Sequence, residues 1–254
     1  MITKSYFKGM YVEQHQLFEG RPTLVFLHDS LGCVQLWRNF PELLAQATQC
    51  NILMYDRLGY GLSAPMEDYV RPVNYMELEA LLLDELLTHY QVAQRILFGH
   101  SDGGTIALIV ASLFPGSIFL TIAEAAHIFV EPVTLQGVQD AMLAYETTNL
   151  AERLQKYHGD KVDTLFKAWT LTWSREDYHD WNIEYLLVNI QSPLLFIQGS
   201  DDAYGSLKQV TETINKPKGI AEQFILPGIG HTPHKEAPEQ VLAATTAFIN
   251  RHAI

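Results

Sequence analysis

The stretch from Arg95 to Phe114 constrains the fold of this chain more than any other. Arg95-Ile96-Leu97-Phe98 is a short apolar run with the character of a buried strand. Thr105 to Phe114 is apolar, has helix length and stops at Pro115. Between them lie only Gly99-His100-Ser101-Asp102-Gly103-Gly104, so the backbone must reverse sharply. Gly99 and Gly103 flank Ser101 two residues away on either side, where a side chain would fill the turn. A turn of this kind lifts the Ser101 hydroxyl clear of the sheet. It also aims the helix N-terminus, with its free N–H groups and partial positive charge, at the same point.

The same alternation runs through the rest of the chain. Strands are predicted at Thr23–Leu27, Asn51–Tyr55, Arg95–Phe98, Ile118–Ala123, Pro193–Ile197 and Glu222–Leu226, and helices over Leu36–Ala47, Tyr75–Tyr90 and Ala237–Arg251. Continuous apolar strands separated by helices imply a mostly parallel sheet covered on both faces, a doubly wound α/β architecture. A length of 254 residues allows one large domain of this class with an insertion. From His127 to Val188 the strands stop. Helical patterns at Gly137–Thr147, Leu150–Tyr157, Val162–Trp173 and Arg175–Leu187 take over. Residues 1–126 and 189–254 are therefore expected to form the core domain, and residues 127–188 a helical cap. Trp169, Trp173, Tyr178 and Trp181 fall at helical spacing and are read first as the core of that insertion.

A net charge of −12 without a basic stripe excludes a phosphate backbone or an anionic membrane surface as partner and leaves a small-molecule substrate. No apolar run is long enough to span a membrane. Met1 to Phe7 has no secretory h-region, and the two cysteines, Cys33 and Cys50, are too few for a disulfide framework. Free thiols in a cytoplasmic protein are expected. No Cys/His cluster has zinc spacing, so no metal is expected, and acyl transfer to a serine requires no cofactor.

A serine hydroxyl needs a base to take its proton, and the base needs an acid to orient it. Ile197-Gln198-Gly199-Ser200-Asp201-Asp202 follows an apolar strand and offers two aspartates at the carboxyl edge of the sheet, where ligands bind. The Gly-x-x-Asp spacing selects Asp202 and leaves Asp201 as a turn former. Leu226-Pro227-Gly228-Ile229-Gly230-His231 follows the last strand and offers His231 as the base, with His234 as rival. The oxyanion is expected to be held by the backbone N–H groups of Asp102 and of Ser30, in the loop His28-Asp29-Ser30-Leu31-Gly32, with His28 as a brace.

These pieces, with Tyr55-Asp56-Arg57-Leu58-Gly59-Tyr60-Gly61-Leu62-Ser63 and Gly230-His231-Thr232-Pro233-His234, resemble the α/β-hydrolase superfamily over nearly the whole chain. Within it, the Ser-Asp-Gly-Gly elbow is similar to that of the biphenyl-hydrolase-like branch, some of whose members cleave aminoacyl esters. The chain departs from the usual pattern at Asp29, where the oxyanion loop commonly has glycine, and at Asp102, where many members are apolar. The resemblance implies a serine hydrolase with the triad Ser101, Asp202 and His231, acting on a small carboxylic ester, lactone or thioester. Proline iminopeptidases and carbon–carbon bond hydrolases share that triad and form the alternative; a non-catalytic binding protein is the third reading. Asp102 and Glu124, with Asp29, are the candidate substrate-binding residues, and a carboxylate pair at the active edge would suit an amino-bearing ester.

Overall fold

The computed structural model describes residues 1–252 of the chain. Its centre is an eight-stranded sheet with β1 (Ile2–Phe7), β2 (Met10–His15), β3 (Thr23–Leu27), β4 (Asn51–Tyr55), β5 (Arg95–His100), β6 (Ile118–Glu124), β7 (Leu194–Gly199) and β8 (Ala221–Leu226). The spatial order is β1-β2-β4-β3-β5-β6-β7-β8. β1 and β2 form a hairpin that joins β4 antiparallel; all later pairs are parallel. All six predicted strands are present. The hairpin lies outside the sequence reading, because β1 is an edge strand whose side chains stay largely exposed and carry little apolar signal.

Helices cover both faces. α1 (Phe40–Thr48), α2 (Tyr75–His89) and α3 (Asp102–Leu113) follow β3, β4 and β5, and α4 (Pro132–Thr147), α5 (Leu150–His158), α6 (Val162–Ser174) and α7 (Glu184–Leu187) lie between β6 and β7. α8 (Leu207–Ile214), α9 (Pro233–Glu236) and α10 (Pro238–His252) complete the chain. Successive residues of the inner strands feed two separate cores. Leu24, Phe26, Ile96, Phe98 and Ile122 pack with α1 and α10, while Val25, Leu27 and Leu97 pack with α2 and α3. This two-sided burial makes the central strands read as continuous apolar runs instead of alternating ones. No helix among the described residues is long and apolar enough to cross a membrane.

The predicted helix over Arg175–Leu187 is not formed as one piece. Only a 3-10 turn at Glu176–Tyr178 and the single turn of α7 appear. Between them, Asn182 bridges Phe129 and the Ile183 N–H donates to the Ile128 carbonyl at 2.8 Å. These long-range bonds pull the backbone out of helical geometry and return the chain toward the end of β6. The short α8 and α9 also went unread. α8 carries an N-cap that can be seen in the sequence only in retrospect, with the Ser206 hydroxyl accepting from the Lys208 N–H.

The helical insert is tied to the core by specific groups. Gly61 N–H donates to His158 Nδ1 at 2.9 Å, and His158 Nε2 lies 3.1 Å from the Leu31 carbonyl. Lys161 Nζ donates to the carbonyls of Gly61 and Ser63, both at 2.7 Å.

Candidate active site

Ser101 stands between the end of β5 and the start of α3 with φ 54° and ψ −120°, the strained conformation that the flanking glycines were expected to permit. The close approach is literal. A Cβ on Gly99 would lie 2.1 Å from the Gly103 carbonyl oxygen, and one on Gly103 would lie 2.0 Å from that of Leu27. α3 begins at Asp102, earlier than the apolar run suggests, because the glycines belong to its first turn.

The turn brings Ser101 to the two groups expected after β7 and β8. Ser101 Oγ is 2.9 Å from His231 Nε2. His231 Nδ1 lies 2.9 and 2.8 Å from the two carboxylate oxygens of Asp202. A carboxylate accepts only, so Nδ1 carries the proton, and Nε2 is left as acceptor for the serine hydroxyl. Asp202 is held in turn by the Tyr204 N–H at 2.8 Å and by Gln198 Nε2 at 2.7 Å. The His231 hydrogen bond holds the Asp202 carboxyl below the usual carboxylate range, although burial opposes that shift and is the largest single influence on it. The rivals are placed elsewhere: Asp201 is exposed and accepts from its neighbour Ser200, and His234 faces away toward Glu124.

Ser30 and Asp102 both line a cavity of about 210 Å³ that opens over Ser101. Asp102 occupies the first turn of α3, where amides have no intrahelical acceptor. In the facing loop the Leu31 N–H donates to Asp29 Oδ1 at 3.1 Å and the Gly32 N–H to the Asp29 carbonyl at 3.3 Å. These two amides are taken; those of Asp29 and Ser30, both residues of the cavity wall, have no acceptor among the described residues. His28 braces the loop: its Nε2 accepts from the Arg57 N–H at 3.1 Å, so its ring is neutral, and burial pushes its pKa well down.

The three acidic candidates divide. Asp29 and Asp102 line the cavity. Asp102 Oδ2 accepts from the Tyr75 hydroxyl at 3.0 Å and has the Arg57 guanidinium at 3.9 Å. Glu124, expected at the cavity, is corrected by the structure. It is fully buried behind the elbow, where its carboxylate accepts from the His234 N–H at 2.7 Å and pairs with His234 Nδ1 at 2.5 Å. Its position at the last residue of β6 was legible, but the face on which its side chain lies was not. His100, Glu124 and His234 place ligand-type atoms within 4.8 Å of one another. His234 Nδ1 and both Glu124 oxygens are bonded within the cluster, and both His100 nitrogens face acceptors outside it, so the trio has no open coordination set.

Several cavity residues lay outside the sequence reading, Tyr204 and His127 among them. Tyr204 packs its ring 4.7 Å from that of His231, and the ring of His127 lies 6.0 Å from it. A loop tyrosine and a loop histidine carry no periodic signal. Trp169 and Trp173, read as core, also line the cavity; four residues apart, they share one face of α6. Tyr178 and Trp181 stay in the core and stack at 5.4 Å.

Residues 24–244 match the alpha/beta hydrolase family. The chain belongs to that family. Among relatives of this alpha/beta hydrolase, the dihydrolipoyllysine-residue acetyltransferase component of the acetoin cleaving system of Pseudomonas putida is 28% identical over 92% of the chain, and the chain spans 65% of that relative's length. Serine hydrolase BPHL of Homo sapiens is 28% identical over 76% of the chain and 68% of its own length. In fold, this alpha/beta hydrolase superposes on MGS-M2, an alpha/beta hydrolase from a Medee basin deep-sea metagenome library, with a TM-score of 0.79 at 19% identity, covering 99% of this chain and 98% of the other.

Proposed function

We propose that this hydrolase cleaves a small carboxylic ester, lactone or thioester through an acyl-enzyme on Ser101. The observation that carries the proposal is the continuous chain from Ser101 Oγ through His231 to Asp202, with both contacts at hydrogen-bond length. His231 Nε2 takes the Ser101 proton as the hydroxyl attacks the carbonyl carbon, and then protonates the departing alcohol or thiol. Asp202 keeps the proton on Nδ1 and balances the imidazolium. The N–H groups of Ser30 and Asp102 receive the oxyanion. Water, activated by His231, then releases the acid. Residues 127–188 act as the cap over the core formed by 1–126 and 189–254, since Thr134, Val138, Trp169 and Trp173 cover the site. Free, buried Cys33 and Cys50 suit a reducing cytoplasm.

The acyl group we favour is small and neutral. The cavity is below the roughly 300–1,000 Å³ of drug-sized sites. Its wall includes Leu31, Val138, Trp169 and Trp173, and the Asp102 charge already has Arg57 and Tyr75 as partners. A substrate ammonium would have to compete with a buried guanidinium. The second reading, an amino ester or N-terminal prolyl substrate held by Asp102, draws on the presence of that carboxylate at the cavity wall. The test compares kcat/KM for an α-aminoacyl ester and its des-amino isostere, with Ser101→Ala as blank. Turnover that needs Ser101 and is equal or faster on the neutral ester is expected. A strong preference for the amino ester that Asp102→Asn abolishes selectively would establish the second reading. Turnover surviving Ser101→Ala would remove the acyl-enzyme altogether.

A further inference from the structure

His100 is fixed in the sequence beside the nucleophile, and its side chain turns away from the cavity into the protein, where it is 2% exposed. Both of its ring nitrogens face acceptors. Nε2 lies 2.7 Å from the backbone carbonyl of His231, and Nδ1 lies 3.3 Å from Asp29 Oδ2. A carbonyl oxygen has no proton to offer, and neither does an ionised carboxylate. A neutral imidazole would therefore set a bare lone pair against one of the two oxygens, on a ring that is itself buried. Only the doubly protonated ring satisfies both.

We propose that His100 is a positioning residue, a buried imidazolium that ties the oxyanion loop, through Asp29, to the loop carrying the catalytic base, through the His231 carbonyl. The inference rests on the hydrolase reading of Ser101 and His231 given above. The connection is economical in space. Asp29 gives one carboxylate oxygen to the Leu31 N–H, which shapes the oxyanion loop, and the other to His100. His100 is covalently next to Ser101, and the Ser101 N–H donates to the Glu124 carbonyl at 2.8 Å. Nucleophile, oxyanion loop and base loop thus share one charged centre. This also accounts for aspartate at position 29, where a glycine would leave the imidazolium without its counter-charge.

The charged and titratable groups around the ring support that state. Asp29 on the β3 loop and Glu124 at the end of β6 are the acids facing it. His231 and His234 on the β8 side, Lys235 beside the latter, and His28 next to Asp29 are the bases. Burial alone would lower the His100 pKa, but the hydrogen bond and charge of Asp29, the charge of Glu124 and the His231 carbonyl together raise it above the ordinary value. The same ring holds Asp29 far below the usual carboxylate range.

The decisive measurement is the protonation of the His100 ring in the unmodified protein, by long-range proton–nitrogen NMR with His100→Gln for assignment. Two protonated ring nitrogens at about pH 7.5, above the roughly 6.5 of a free histidine, are expected. A bare nitrogen there overturns the proposal. Asp29→Asn keeps an oxygen for the Leu31 N–H and removes only the charge. In it, His100 should titrate at lower pH, and the low-field His231 Nδ1 proton should broaden as the base loop loosens. kcat should fall about tenfold to a hundredfold, more steeply as pH rises through the new titration, with KM within about twofold. An Asp29→Asn protein whose His231 proton resonance and kcat–pH profile match the parent also overturns it. Absence of Ser101-dependent turnover in the parent would instead count against the hydrolase reading, and the two NMR readouts would still decide His100.

Discussion

Replacing Gly103 by alanine adds a single methyl group at the tightest point of the elbow. The new Cβ would meet the Leu27 carbonyl oxygen at 2.0 Å, the Leu27 carbonyl carbon at 2.5 Å and the His28 carbonyl oxygen at 2.7 Å. Real Cβ atoms do not approach closer than about 3.0 Å, so the first turn of α3 and the end of β3 must separate by at least 1.0 Å. The obstructing atoms are backbone, and no rotamer change can absorb the clash. Overpacking of this kind costs about 1–3 kcal/mol, and the rigid sheet places this site near the upper end. Intrinsic helix preference works the other way, favouring alanine by about 1 kcal/mol, so the sign of the change is itself informative. The displaced pieces carry the Asp102 amide and the loop that contains Ser30. A shift near 1 Å there should slow reaction of Ser101 with an activated ester or a fluorophosphonate by about a hundredfold. Urea denaturation and the labelling rate measure the two effects. Gly116→Ala, whose Cβ meets nothing within 4 Å, is the control and should change stability by less than about 0.5 kcal/mol. If the two alanine variants were indistinguishable in both measurements, the elbow would not be sterically determined and the reasoning would fail.

Two further outcomes follow from named hydrogen bonds. Asp202→Asn should leave the fold intact and lower kcat by about 10⁴-fold, because an amide no longer fixes the proton on His231 Nδ1; steady-state ester hydrolysis reads this, and a loss under tenfold would count against Asp202 as the orienting acid. His158 accepts the Gly61 N–H at Nδ1, so only its neutral form fits, and burial, reinforced by Lys161, holds its pKa below the ordinary value. A histidine with a depressed folded pKa contributes its stability in full above about pH 6.5, the unfolded value, and loses it as pH falls through the folded one. Unfolding free energies from urea denaturation at about pH 8 down to pH 5 should fall less steeply in His158→Gln, by up to about 1.4 kcal/mol per pH unit. An unchanged slope would show that His158 is not the group that titrates.

Much of the site was legible because strand-to-helix turns leave strong local marks. Ser101 between two glycines, Asp202 after β7 and His231 after β8 each follow an apolar strand, and parallel strands deliver their carboxyl ends to one edge. The insert was equally visible as a break in alternation, and two of its four tryptophan and tyrosine candidates turned out to line the cavity. The hairpin β1–β2 was not read, since an exposed edge strand lacks the apolar pattern that marks the inner ones. Nor was the break at Trp181–Ile183, where bonds to Ile128 and Phe129 override helical periodicity.

The sequence by itself determined the six parallel strands, most of the longer helices between them, the elbow and the three residues that meet at it, because each is written in local periodicity and in glycine spacing. Tertiary structure alone decided the roles of the remaining charged groups. Three carboxylates, Asp29, Asp102 and Glu124, look alike in the chain. One bridges Leu31 and His100, one is held by Tyr75 with Arg57 beside it, and one is buried against His234. Those assignments depend on side-chain partners from strands and loops distant in sequence, and in a buried site the partner decides what a charge can do.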